Sequence, residues 1–134
     1  MEALIPTLNA WQPRILSILR IVVGLLFLQH GLVKIFSFPM AFPSPVATFS
    51  MLWFAAAIEI VGGILMILGL FTRPVAFILA GEMAFAYFIG HQPRAFYPIQ
   101  NAGNLAILYC FVFFYLVFAG PGPWSIDATR SKTP

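Results

Sequence analysis

The sequence predicts an all-α integral membrane protein, a bundle of four transmembrane helices, and three observations carry that reading. Hydrophobic residues fill 61% of the 134 positions and charged residues only 8%, where a soluble domain carries about 25% charged residues. Four apolar runs approach the roughly 20 residues that a helix needs to cross about 30 Å of hydrocarbon. Turn and interface residues fall between those runs and not inside them. So few charges could not coat an aqueous surface, so lipid is the expected main solvent and residues 1–134 read as one membrane domain.

The expected spans cover about residues 14–36, 50–70, 74–90 and 101–119. Pro13 suits the first turn of helix one, "GLFTRP" from Gly69 to Pro74 reads as a tight connection, and "AGPGPW" from Ala119 to Trp124 stops the last helix. Trp11, Trp53 and Trp124 fall at helix ends, where amphipathic rings favour the headgroup zone. Arg20 interrupts the first apolar run and no small-residue cleavage site follows it, so helix one is expected to remain in the protein instead of leaving as a signal peptide. Four spans put both termini on one side. Arg14, Arg73, Arg130 and Lys132 then oppose Lys34 and Arg94, which favours cytoplasmic termini.

Several function classes are excluded at this level. The lone Cys110 permits no intramolecular disulfide and no dithiol chemistry. A net charge of +3 spread thinly along the chain argues against a nucleic-acid surface. Two histidines without a dense carboxylate or thiolate cluster give no metal site. No pair of haem ligands and no dinucleotide-binding loop marks a redox centre belonging to the chain, and nothing marks a flavin.

What the chain does contain is a small set of polar residues in costly places. At about 100° per residue, Arg20, Gly24, Phe27, Gly31 and Lys34 share one stripe of helix one, with His30 on its edge and Gln29 opposite. Its two glycines let another backbone approach, as membrane helices need in order to pack. The candidate partners for Arg20 are Glu59 in helix two and Glu82 in helix three. Depths of about 9 Å for Arg20, about 12 to 14 Å for Glu82 and about 16 Å for Glu59 put the three within reach of a guanidinium. An isolated charge in the bilayer is costly, so the expectation is an ionic layer in which Arg20 bridges one or both glutamates. Two carboxyls beside one arginine could not both ionise cheaply, which leaves one holding a proton.

A second polar layer is expected nearer the outer face, where His30 at about 24 Å and Asn104 at about 22 Å share a level. Asn104, Leu108, Phe111 and Tyr115 form one stripe of helix four, which is expected to point inward. The connection "SFPMAFPSPVATF" holds no charge and three prolines, and it should lie in the interface. Structural readings stand beside the functional ones. The ionic layer can simply fix helix register, Lys34 near a helix end can snorkel outward, and the ladder Ala76, Ala80, Ala84 can serve as a homodimer seam.

"RIVVGLLFLQHGLVKIF", then "EIVGGILMILGLFTRP", then "AFILAGEMAFAYFIGHQP" and the closing "GPGPWSID" resemble, in order and spacing, the DoxX family of small four-helix inner-membrane proteins. The likeness runs from about Arg14 to Asp127. It falls on Arg20, Gly24, Gly31 and Lys34 in helix one, on Glu59, Gly62 and Gly63 in helix two, and on Glu82 and His91 in helix three. It ends on Gly120, Pro121, Gly122 and Asp127. Some members of that family are membrane subunits of thiosulfate:quinone oxidoreductases and others resemble partners of thiol or superoxide defence systems. The resemblance therefore implies a subunit of a quinone-linked redox or oxidative-stress system. In that reading the quinone head group sits near His30, Asn104 and Lys34, with Glu59, Glu82 and Arg20 as the working polar groups and a soluble protein supplying electrons. A small proton-coupled transporter and a non-catalytic membrane scaffold are the alternatives, because fold alone does not license a reaction.

Overall fold

The computed structural model describes residues 1–131, and Lys132, counted above in the charge bias, lies outside the described residues. Five α-helices follow one another: α1 (Ile5–Phe36), α2 (Met51–Leu68), α3 (Thr72–Ala86), α4 (Asn104–Ala119) and the short α5 (Ile126–Arg130). A π-helical turn, Tyr87–His91, and a 3-10 turn, Gln92–Arg94, carry the helical path of α3 onward. There is no strand among the described residues.

Local chemistry explains the boundaries. Ser50 caps α2, its Oγ accepting from the Trp53 N–H at 3.2 Å, and Gly69 ends that helix in the left-handed conformation that a residue without Cβ adopts cheaply. α1 begins earlier than expected. Pro6 occupies its first turn, while Pro13 sits inside the helix. A proline removes one backbone bond without forbidding a helix, so the expectation that Pro13 opens the helix is corrected. With 32 residues α1 is about 48 Å long, well beyond α2 at 18 residues and about 27 Å.

The helical runs 2–36, 51–68 and 72–94 are long and apolar enough to cross a membrane, whereas α4 is an apolar helix of 16 residues, about 24 Å. α1 packs along α2, and α3 along α4, with lighter contact between α2 and α3. Side chains such as Val22, Leu26, Ile58, Val61, Phe77, Ile78, Leu108 and Phe111 point outward. An apolar exterior on a helical bundle faces lipid. Inside, Phe27 of α1 meets Phe113 and Tyr109 of α4 edge-on, with ring centroids 4.9 and 5.3 Å apart. Edge-to-face packing at these distances is the arrangement that aromatic quadrupoles favour.

The α1 stripe is buried as expected, with Arg20, Gly24, Phe27 and Gly31 all in the interior. Close approach is the reason for its glycines. A Cβ on Gly31 would lie 2.6 Å from Ile60 and 2.7 Å from the Ala56 carbonyl oxygen, and one on Gly63 would lie 3.0 Å from the Leu28 backbone. Two expectations are overturned. Ala76 and Ala80 are buried within the chain, in the core that includes Phe113 and Leu116, so that stretch of the alanine ladder is not an outward seam. The stripe Asn104, Leu108, Phe111, Tyr115 faces outward, and Ala106, Tyr109, Phe113 and Leu116 make the inner face. α4 is apolar all round, so its periodicity did not distinguish the two faces.

Candidate functional site

Two polar clusters occupy opposite ends of the bundle, and Arg20 does not share one with the glutamates. Its partners are backbone carbonyls. Nε donates to Pro121 O at 2.8 Å, one terminal nitrogen donates to Met66 O and to Ile67 O, the latter at 2.9 Å, and the other donates to Trp124 O. Met66 and Ile67 lie in the last turn of α2, whose free carbonyls form the negative end of the helix dipole. The expected bridge from Arg20 to Glu59 or Glu82 is thus corrected. A buried guanidinium with a fork of donors can be satisfied by uncharged oxygens, and the chain from Pro121 to Trp124 folds back to offer them.

That returning segment is fastened at several points. The Trp124 N–H donates to Ser17 Oγ at 3.1 Å, and the Asp127 N–H donates to Gly69 O at 3.0 Å. The Asp127 carboxylate accepts from the Phe71 and Thr72 N–H groups at 2.9 and 2.8 Å, which caps the N-terminus of α3. Partial burial pushes the Asp127 carboxyl up. The Thr72 and Phe71 amides, with Arg130 nearby, outweigh that effect and hold it below the ordinary carboxylate value. Arg73 closes the C-terminus of α4 by donating to Val117 O and Phe118 O at 2.6 and 2.7 Å.

At the other end, Lys34 in the last turn of α1 reaches Glu59 in α2. Nζ lies 2.6 Å from Oε1 and 2.7 Å from Oε2, and the two side chains are 15% and 4% exposed. The lysine stem runs inward to a carboxylate and not outward to the headgroups, so the snorkelling alternative is also corrected. A paired, desolvated charge replaces two isolated ones, which is the condition for keeping either in the bilayer.

Glu82 of α3 faces the same space. Both of its carboxyl oxygens are buried and neither has a hydrogen-bond partner among the described residues. Between these residues lies a cavity of about 530 Å³ bounded by Lys34, Glu59, Glu82, His30 and Tyr109, with walls that include Phe27, Leu52, Phe85, Ile89 and Leu105. That volume falls in the usual range for small-molecule sites, which are mainly apolar with a few placed polar groups. His30 stands edge-on to Tyr109 with ring centroids 5.8 Å apart. The π-helical turn brings Gly90 and His91 to the same cavity, and such turns often shape functional sites.

Of the residues singled out from sequence, the structure thus gathers His30, Lys34, Glu59 and Glu82 and leaves Arg20 and Asn104 outside. Asn104 is exposed, so its expected pairing with His30 is corrected. Asn101 is the buried asparagine. It donates to Ala95 O at 3.0 Å and to Tyr87 Oη at 3.3 Å, and it accepts from the Gly103 N–H at 2.8 Å. The Asn101 carbonyl oxygen also meets His91 Nδ1 at 2.9 Å. Asn101 and Tyr109 were missed. A loop asparagine two residues before a glycine was the available signal for the first, and nothing in an apolar helix marked the second.

An all-helical bundle with apolar outer faces, a self-contained ion pair and a cavity at one end defines a small multi-pass membrane protein with a polar interior site. The chain belongs to the DoxX family, whose model matches residues 15–92. It is 46% identical over 125 residues to an "Uncharacterized protein" of Haemophilus influenzae, covering 90% of this chain and 93% of that one. It is also 30% identical over 145 residues to the "Uncharacterized membrane protein Rv3486" of Mycobacterium tuberculosis, covering 93% of this chain and 86% of that protein. No solved structure matches the chain.

Proposed function

We propose that the protein is the membrane partner of a quinone-linked redox or oxidative-stress system and that its cavity takes the quinone head group while a soluble protein supplies electrons. One observation carries the reading: an apolar cavity of head-group size holds a neutralised Lys34–Glu59 pair and, on another wall, a carboxyl with no partner. The pair fixes α1 against α2 and gives the cavity wall a polar patch without a net charge. Glu82 and His30 are the groups left to bind and exchange protons with a head group, since an imidazole can both donate and accept. Arg20 serves this reading from a distance, by holding the helix ends in register. The protein is proposed to lie in a bacterial plasma membrane with both termini cytoplasmic, because Arg14, Arg73 and Arg130 oppose Lys34 and Arg94 across the bundle.

Complementation of a deletion strain under oxidative or sulfur-compound stress tests the reading. Glu82→Gln and His30→Ala are expected to reach the wild-type level in the membrane and yet to restore growth poorly. Full restoration by both, at normal protein level, would leave the cavity as packing and the protein as a scaffold.

A further inference from the structure

The cavity holds one group with a proton to give and, at its loop end, one with a place to take it. Both oxygens of Glu82 are buried and have no hydrogen-bond partner among the described residues. A carboxylate out of water and without a donor is costly, and Glu59, already paired with Lys34, adds a like charge at the same cavity. Glu82 is therefore the carboxyl that keeps its proton, and its O–H has no acceptor among the described residues.

His91 stands further along the same helical path, where the π-helical turn ends. Its Nδ1 lies 2.9 Å from the Asn101 carbonyl oxygen, which can only accept, so the proton of the neutral ring sits on Nδ1 and Nε2 keeps its lone pair. The residue lines the cavity and is partly exposed, between the exposed Gly90 and Gln92. The other polar groups at the cavity suit proton traffic less well. Lys34 and Glu59 are engaged with each other, Arg94 is a permanent cation with no acceptor, Tyr109 is a neutral phenol, and His30 packs edge-on to Tyr109 with no hydrogen bond among the described residues to fix its tautomer.

We propose that His91 is the proton port of the site, passing protons through Nε2 between Glu82 and water at the loop end of the bundle. As a route for head-group protons this rests on the quinone reading above. Nine residues at about 1.5 Å each separate Glu82 from His91 by about 13 Å along the helical path. A cavity of about 530 Å³ has room for a head group and the few waters that join the two, at about 30 Å³ apiece. A proton leaving the Glu82 O–H reaches Nε2 through those waters, giving a carboxylate and an imidazolium whose Nδ1–H still donates to the Asn101 carbonyl. Nε2 then releases its proton to the water outside, and the reverse transfer restores Glu82.

The test reads hydrogen–deuterium exchange at Glu82 directly. Full-length protein in nanodiscs is moved from H2O to D2O, and infrared spectroscopy follows the carboxyl C=O stretch that shifts when O–H becomes O–D. The Glu82 band is the one that Glu82→Gln removes. His91→Asn is the decisive variant, since its amide N–H can replace the Nδ1 bond to the Asn101 carbonyl while the titrating nitrogen is lost. Exchange is expected to slow by about a hundredfold in His91→Asn, the lower figure for a positioned acid–base group, and added imidazole should restore it. His91→Gln, a second way to remove the titrating nitrogen, should slow it equally. Exchange as fast as in wild type, or a slowing that imidazole does not relieve, overturns the proposal, as does the absence of a Glu82 acid band in wild type. The exchange is read without added quinone, so any of these results leaves the quinone site standing. A wild type that purifies without quinone overturns the quinone reading, while the exchange still decides the proton port.

Discussion

Lys34 and Glu59 meet as a two-pronged ion pair across the α1–α2 contact, with Nζ 2.6 and 2.7 Å from the two carboxylate oxygens. The contact is made possible by Gly31, one turn earlier, whose missing Cβ lets the α2 backbone come close at Ala56 and Ile60. Removing one member of a buried pair leaves the other uncompensated. Lys34→Met is expected to lower stability by about 3 to 5 kcal/mol, and the double change Lys34→Met with Glu59→Met should recover much of that loss. Unfolding of detergent-solubilised protein through a double-mutant cycle measures it. Additive losses would show that the pair does not act as a unit.

Arg20 supplies four charge-assisted hydrogen bonds to carbonyls of α2 and the returning C-terminal segment. Arg20→Ala should cost about 3 kcal/mol or more, and Arg20→Lys should rescue only part, because an ammonium cannot span the same oxygens. Combined with Glu82→Gln, the losses should add within about 0.5 kcal/mol, as expected of groups that share no partner. Strong coupling between these two positions would contradict the separation of the clusters.

Asp127 caps α3 from α5, and its carboxyl is held below the ordinary value. A depressed folded value means that the carboxylate's contribution is present above the unfolded value of about 3.9 and is lost as pH falls through the folded one. In a variant with Trp11→Phe and Trp53→Phe, which leaves Trp124 to report alone, the emission should hold steady down to about pH 4 and shift below that as the segment loosens. Asp127→Ala should cost about 1 kcal/mol and abolish the acid shift. An identical acid shift in Asp127→Ala would assign it to another group.

Gly63 packs against the Leu28 backbone, where an added Cβ would sit 3.0 Å from backbone atoms that cannot step aside. Gly63→Val should force α1 and α2 apart and cost about 1 to 3 kcal/mol, with the Lys34–Glu59 pair weakened as a second consequence. Gly81, where an added Cβ would meet no atom of another element within 4 Å among the described residues, is the control. Gly81→Ala should be neutral or slightly stabilising, since alanine favours a helix by up to about 1 kcal/mol. Equal losses at the two positions, read by thermal unfolding, would count against close helix contact as the reason for Gly63.

Much of the fold was legible because apolar run length and an i, i+3, i+4 stripe report directly on lipid and on the buried face of α1. The identity of the costly residues was legible for the same reason: Lys34, Glu59 and Glu82 stand out by expense alone. Their pairing was not. Depths counted along separate helices assume flush ends, and α1 starts at Ile5, three turns before the bundle it joins. Arg20 found no carboxylate because its partners are main-chain oxygens, which no inventory of side chains contains. α4 gave no facing signal, so Asn104 was placed inward when Asn101 and Tyr109 are the inward residues.

The central claim is that the cavity between Lys34, Glu59 and Glu82 holds a quinone-type molecule. Its most direct measurement is the lipid-soluble redox content of protein purified in mild detergent, for wild type and for Ala86→Phe, which adds an aromatic ring to the cavity lining while replacing no polar residue. Wild type should carry near-equimolar quinone plus quinol, and Ala86→Phe, matched for yield and helical signal, should carry only the background of co-purifying lipid. Equal content in the two proteins, or none above background in wild type, would contradict it.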